Sequence, residues 1–332
     1  MKIDFFGKES HYIDHLAPVY NALGENAGDF FVPSNLEEYL KEKNIEPKKV
    51  DLKGNNPIVV SSHQDIQSAY MSNSKRPIIM MEHGAVNFFP GNPSYVGNHG
   101  YRTKASLTLS PNQMMFEQTL KALPQMKQAI IGTPKLDPWM EVFNEKRTLP
   151  QKPTICISFH WDGKHVAPEA GTAFEYYKNT VLELGREYWF RLVAHAHPRG
   201  KPIMRAFYNH HIIRFIDDFE EVMEVADVYV NDCSSTAFEF LVTGKPVVLL
   251  NIPTFRKNVD FGARFWRYAD VGIQVDRPKD LLGAVLKTMW EPNSHKQERK
   301  KAVHDLFPYL GTSADRAAAT IIDHIFNLEE SK

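Results

Sequence analysis

The chain has 332 residues, 43% of them hydrophobic, and a formal net charge of -1; this is at the upper edge for one hydrophobic core and suits about two globular domains. The composition excludes general disorder and fibrous repeats, and the balanced charge supplies no broad field for steering nucleic acid. Only two cysteines occur, Cys156 and Cys233, both in apolar segments, so a reducing, cytoplasmic setting fits better than a disulfide framework. The start Met1–Gly7 is too short and polar for a signal peptide. Apolar runs such as Pro246–Leu250 fall short of the roughly 18 to 20 residues that cross a bilayer. Peripheral contact with the inner membrane face and oligomerisation stay open.

Short apolar runs alternate with helix-like segments, the pattern of parallel sheets covered by helices. In the first half the predicted strands are 3–6, 30–32, 58–61, 77–81, 105–109 and 128–131, unalternated as in strands buried on both faces. The spacing predicts helices over 13–24, 36–43, 64–71 and 112–122, the last starting at Ser110-Pro111-Asn112. The polar, double-proline stretch 148–153 reads as a linker between domains 1–149 and 150–332. Strands then follow at 154–159, 189–194, 212–215, 228–230 and 246–250, with helices at 171–184, 218–225, 235–243, 279–289, 295–306 and 313–328. Ala317, Ala318, Ile321, Ile322, His324, Ile325 and Phe326 give the last helix an apolar face, which is expected to pack back onto the first domain.

Three strand ends carry candidate chemistry. Asp232-Cys233-Ser234-Ser235-Thr236 follows a strand and opens a helix, so backbone N–H groups and hydroxyls there could seat a diphosphate; the same residues are also ordinary helix caps. Glu239, one turn on, suits ribose hydroxyls, and a solvent-facing glutamate would look the same. His195-Ala196-His197-Pro198-Arg199 follows another strand, where ligands of open α/β sheets bind; His197 and Arg199 suit phosphate charge, and either histidine could be structural. In the first half, Glu82-His83-Gly84-Ala85 offers His83 as a general base, with Glu82 to orient it and Gly84 to permit a sharp turn. The Pro- and Gly-rich stretch 89–104 suits a loop over the site. Weaker candidates are His11, His160 and the Gly311–Arg316 turn with Arg316. No metal motif, GxGxxG, Walker A or GxSxG run occurs, so no metal or other cofactor is expected.

Together these motifs resemble the CDP-glycerol glycerophosphotransferase family of teichoic-acid and capsule polymerases. Its HG motif is matched by His83-Gly84, its Gly-x-Pro-x-x-Asp motif by Gly132–Asp137, and its HP motif by His197-Pro198. Its Asp-Tyr-Ser-Ser segment is matched by Asp232–Ser235 with Cys233 in place of tyrosine, and its helix acid and Lys-Pro by Glu239 and Lys245-Pro246. Gly311–Arg316 approximates a further run with shifted spacing, and Glu82 stands where the family commonly has tryptophan. The resemblance implies a GT-B-like α/β fold, two Rossmann-like parallel-sheet domains facing a cleft. It implies a transferase moving a glycerol-phosphate or related polyol-phosphate group from a CDP-linked donor to a hydroxyl-bearing acceptor in cell-surface polysaccharide synthesis. His83 is then the base and His197 a donor-phosphate contact. The turn and helix also resemble UDP-N-acetylglucosamine 2-epimerase, which leaves a nucleotide-sugar glycosyltransferase, or a non-catalytic nucleotide-sugar-binding protein, as alternatives.

Overall fold

The computed structural model describes residues 1–85, 100–140, 148–162, 172–253 and 267–330. The chain forms two compact units, one holding Met1–Ala85, the described residues through Met140 and the chain from Asp305, the other the described residues from 148 to His304.

The first unit is built on seven parallel strands, β1 (Ile3–Phe6), β2 (Ala27–Val32), β3 (Pro47–Lys49), β4 (Ile58–Val60), β5 (Ile78–Met81), β6 (Leu107–Ser110) and β7 (Gln128–Ile130). Their order is β3-β2-β1-β4-β5-β6-β7, so the sheet reverses its winding between β1 and β4. Helices α1 (Ser10–Ala22), α2 (Glu37–Glu42), α3 (His63–Ser72) and α4 (Gln113–Ala122) connect them. Cover on both faces explains the unalternated apolar strands, all four residues of β1, β5 and β6 being buried. The one acid in β1, Asp4, is buried against Arg76 and accepts from the Asp29 N–H at 3.0 Å and Asn56 Nδ2 at 3.1 Å. Gly28 is required beside it, because a Cβ there would stand 2.3 Å from Asp4 Oδ1. Helix starts follow local chemistry: Ser62 Oγ accepts from the Asp65 N–H at 3.1 Å, and Asn112 Oδ1 from the Met115 N–H at 3.0 Å.

The second unit has six parallel strands, β8 (Thr154–Phe159), β9 (Arg191–Ala196), β10 (Arg214–Phe215), β11 (Val228–Asn231), β12 (Val247–Leu250) and β13 (Ile273–Val275), ordered β10-β9-β8-β11-β12-β13. Its winding reverses between β8 and β11. Helices α5 (Phe174–Leu184), α6 (Lys201–His210), α7 (Phe219–Val225), α8 (Thr236–Glu239), α9 (Leu281–Trp290) and α10 (Lys296–Leu306) complete this half. The core joins Ile155, Ile157, Val228, Val230, Val248 and Leu250 of the sheet to Tyr177, Val181 and Val285 of the helices.

The terminal helix α11 (Ser313–Glu330) belongs to the first unit, where Ala317, Ala318, Ile321 and Ile325 join Ile3, Ile13 and Leu16 in one core. No helix of the described residues is long and apolar enough to cross a membrane. The expected loop 89–104 lies largely outside the described residues, and Gly100–Lys104 forms a short 3-10 helix.

Candidate active site

In the second unit, the carboxyl ends of β8, β9 and β11 bring together His160, Trp161, His197, Arg199, Asp232 and the hydroxyl turn. The His160 and His197 rings meet edge to face, centroids 4.8 Å apart. The Arg199 guanidinium lies 5.2 Å from the Trp161 ring centroid, so an aromatic face holds a cation at the mouth of the sheet. His197 Nδ1 accepts from the Arg199 N–H at 3.2 Å. That bond assigns the neutral ring's proton to Nε2, making it a donor. Burial lowers the pKa of His160, opposed by the nearby Asp232 charge.

Asp232 has a different place from the phosphate contact expected of it. Its buried carboxylate accepts from the His160 N–H at 2.8 Å, the Ala173 N–H at 2.9 Å and Thr172 Oγ1 at 3.3 Å. A second carboxylate charge facing a phosphate would repel it; this one ties the chain after β8 to the start of α5. The expected helix 235–243 is one α-helical turn, Thr236–Glu239, continued as a 3-10 helix over Phe240–Thr243. So short a helix supplies little macrodipole, and the turn's anion-binding capacity rests on its hydroxyls and on Arg199. Tyr229 Oη lies 2.9 Å from Thr236 Oγ1, which donates to Ser234 Oγ at 3.0 Å. Ser234 is buried, Ser235 and Thr236 half-buried. Glu239 is buried, not a solvent-facing glutamate.

In the first unit, His83 follows β5 and its Nδ1 lies 2.7 Å from the Ser61 carbonyl oxygen. Nδ1–H therefore donates, and Nε2 is the acceptor, as a general base requires. Burial lowers the His83 pKa, partly opposed by Glu82 and the Ser61 carbonyl. Ser61 is itself fixed by its Oγ donating to the Met81 carbonyl at 2.9 Å. Gly84 takes φ +81°, the left-handed turn that glycine permits. Around His83 stand Tyr12, His11 and His15, ring centroids at 4.6, 5.5 and 6.5 Å. His11 Nδ1 is 3.5 Å from Glu9 Oε2. His15 is buried, which lowers its pKa well below the ordinary imidazole value, with Lys135 adding to the effect. Tyr12 and His15 escaped the sequence reading; the i, i+4 spacing of His11 and His15 on α1, with Tyr12 next to His11, was the available signal. Glu82 does not hydrogen-bond His83: it is buried in an ion pair with Arg102, so its influence on the imidazole is through its charge.

Several motif residues turn out to hold the fold. His195 lies inside β9, which runs to Ala196, and its Nδ1 is 3.0 Å from the Ile216 carbonyl. Lys245 Nζ donates to the carbonyls of Met223 and Glu224 at 2.7 and 2.8 Å, closing α7. Asp137 accepts from the N–H groups of Gly311, Ser313 and Ala314 at 2.9, 3.1 and 2.9 Å, capping α11. The N–H groups of Gly311, Ser313 and Ala314, in the turn expected to face a phosphate, are thus taken by a protein carboxylate. Arg316 Nε donates to the Ile130 carbonyl at 2.8 Å, its guanidinium 3.9 Å from the Tyr309 ring centroid. Among the described residues no group of three or more His, Cys, Asp or Glu side chains could hold a metal ion.

Residues 168–327 match the family described as CDP-Glycerol:Poly(glycerophosphate) glycerophosphotransferase. No curated protein matches the chain. Among solved structures it is similar to the wall teichoic acid polymerase TagF with CDPG, at 16% identity and TM-score 0.66, covering 99% of this chain and 90% of that one. It is similar to S. aureus MnaA in a UDP co-structure, at 16% identity and TM-score 0.68, covering 99% and 98%. It is also similar to UDP-GlcNAc 2-epimerase from Neisseria meningitidis bound to UDP-GlcNAc, at 14% identity and TM-score 0.61, covering 98% and 100%. These likenesses establish the GT-B-like α/β fold. The sequence match covers His197, Arg199, the Asp232–Thr236 turn, Glu239 and Lys245, so over residues 168–327 the chain is similar to the CDP-glycerol:poly(glycerophosphate) glycerophosphotransferase family, a likeness that supports an enzyme of the transferase type.

Proposed function

We propose that the chain transfers a glycerol-phosphate or related polyol-phosphate group from a CDP-linked donor to an acceptor hydroxyl in cell-surface polysaccharide synthesis. The observation that carries this reading is the pairing of His197, whose Nε2 is left as the donor nitrogen, with Arg199 at the end of β9, inside the family-matched residues. The second unit takes the nucleotide donor: Ser234, Ser235 and Thr236 offer hydroxyls to the diphosphate, and Glu239 is assigned to the ribose. The first unit supplies His83 as base.

In the proposed reaction His83 Nε2 removes the acceptor hydroxyl's proton as its oxygen attacks the phosphorus that bears the polyol. A new P–O bond forms, the P–O bond to the nucleotide breaks, and CMP departs with the electron pair. His197 and Arg199 offset the charge that develops on the departing phosphate. His160 and Asp232 act through position, holding the loop after β8. Two buried cysteines outside any disulfide suit the reducing cytoplasm, where the proposal sets the reaction, at the inner membrane face.

The test is CMP release from CDP-glycerol, with and without a polyol acceptor. Acceptor-dependent release that falls at least roughly tenfold in His83→Ala and in His197→Ala, about 1.4 kcal/mol of barrier each, is expected. Release of UDP, GDP or CMP from a nucleotide sugar instead would move the assignment to glycosyl transfer, and donor binding without any turnover would favour a non-catalytic binding protein.

A further inference from the structure

A histidine that takes a hydroxyl proton becomes a cation, and the surroundings of His83 oppose that charge. Burial has the largest influence on its pKa and lowers it. The ring also packs on the first turn of α1, where the positive end of a helix disfavours a second positive charge. Glu82, its neighbour in sequence, is closed on Arg102, and the Arg102 charge acts on His83 in the opposite direction.

The start of α1 offsets these effects. Glu9 occupies the N-cap position of α1, but its side chain turns to His11 rather than capping the helix, with Oε2 3.5 Å from His11 Nδ1. The Glu9 charge favours the protonated form of His83, against the effect of burial. His11 bridges the two, its ring meeting the His83 ring edge to face with centroids 5.5 Å apart. The buried Tyr12 ring packs on both, its centroid 4.2 Å from that of His11 and 4.6 Å from that of His83. An aromatic face within about 6 Å attracts a cation, more strongly where water is excluded. His15, at 6.5 Å, adds no competing charge, because burial holds its pKa well below the ordinary imidazole value.

We propose that Glu9 and Tyr12, held together by His11, are positioning residues that stabilise the imidazolium form of His83. This role rests on the transferase reading and adds to it how a buried histidine serves as the base. The acceptor O–H bond breaks, its proton bonds to His83 Nε2, and the electron pair stays on the oxygen that attacks phosphorus. Glu9 then supplies the counter-charge and Tyr12 the π-face for the cation so formed.

The test compares the wild type with Glu9→Gln, Tyr12→Leu and Tyr12→Phe. The first measurement is an NMR titration of the labelled histidine rings, with His83→Gln identifying the His83 signal. Glu9→Gln and Tyr12→Leu are each expected to lower the proton affinity of His83 about three- to tenfold, and Tyr12→Phe, which keeps the ring, to leave it unchanged. The second is acceptor-dependent CMP release from CDP-glycerol against pH. The acid limb of kcat/KM should move to lower pH in the same two variants. Above that limb kcat should fall about two- to threefold, as for a proton half transferred, with KM for CDP-glycerol unchanged. A His83 titration that stays at its wild-type midpoint in either variant overturns the proposal, as does a loss of kcat with the acid limb unmoved, the mark of a merely structural role. Absence of turnover with every CDP-linked donor would defeat the transferase reading, and the NMR titration would still decide Glu9 and Tyr12.

Discussion

At the scale of single residues, the two candidate histidines differ in tautomer, and a backbone group sets each. The Ser61 carbonyl takes the Nδ1 proton of His83, leaving Nε2 to accept, whereas the Arg199 N–H fills Nδ1 of His197, leaving Nε2 to donate. In the proposed reaction the first tautomer suits a base and the second suits stabilising a leaving phosphate. Burial lowers the His83 pKa from its ordinary 6.5. The sign follows: a lowered pKa keeps the imidazole neutral, and so competent as a base, as pH falls past 6.5, and activity is lost only below the lowered value. The acid limb of kcat/KM against pH should therefore inflect below 6.5, and should be absent from the residual activity of His83→Ala. An acid limb at or above the ordinary imidazole value would point to a different base.

At the scale of elements, the link between the chain end and the first unit is a set of three N–H groups of the turn and first residues of α11 on one carboxylate, Asp137. Gly132, at φ +87°, fits beneath this junction, where a Cβ would meet Ser313 Oγ at 2.3 Å and the Pro308 carbonyl at 2.5 Å. Asp137→Ala should cost about 1–2 kcal/mol as a lost helix cap, and Gly132→Ala more, through the clash and the left-handed backbone. Hydrogen exchange should quicken in residues 313–330 and in α1, which packs on α11, while the second unit keeps its protection. These contacts also show what the sequence could and could not reveal. Strands such as β1, β8 and β12 were legible because burial on both faces writes a continuous apolar run. β3 was not, since Pro47-Lys48-Lys49 lies on a sheet edge with only one partner; α6 was missed because Lys201, Pro202, Arg205 and Asn209 hide its apolar face. The candidate site was legible as strand-end motifs, but not the division of labour inside them. Asp137 finds its partners 174 to 177 residues away and Asp232 finds His160 across 72 residues, distances at which no local spacing identifies who satisfies whom. His195 and His197 separated only when β9 ran two residues further than its apolar pattern, turning the first histidine inward.

At the scale of the molecule, the two units have separate cores and, in the proposed reaction, separate tasks. The second unit's core draws on residues from Leu149 to Met289 and on nothing from α11. The first unit's core needs Ala317, Ala318, Ile321 and Ile325. A chain ending at His304 therefore removes α11's share of the first unit's core and takes nothing from the residues of the second unit's core. The two isoleucines alone contribute roughly 3–6 kcal/mol by burial. His324, whose Nε2 is 3.0 Å from Ser106 Oγ, and the cap on Asp137 go with them. Against a usual domain stability of about 5–15 kcal/mol, that loss should unfold the first unit. If the donor is held by the second unit as proposed, the truncated protein should still bind CDP with an affinity near that of the full chain, release no CMP to an acceptor, and lose roughly the first unit's share of its circular dichroism. Loss of CDP binding along with turnover, while the second unit's hydrogen-exchange protection persists, would show that the donor needs groups of the first unit, and would take the nucleotide seat away from the β9 and β11 strand ends alone.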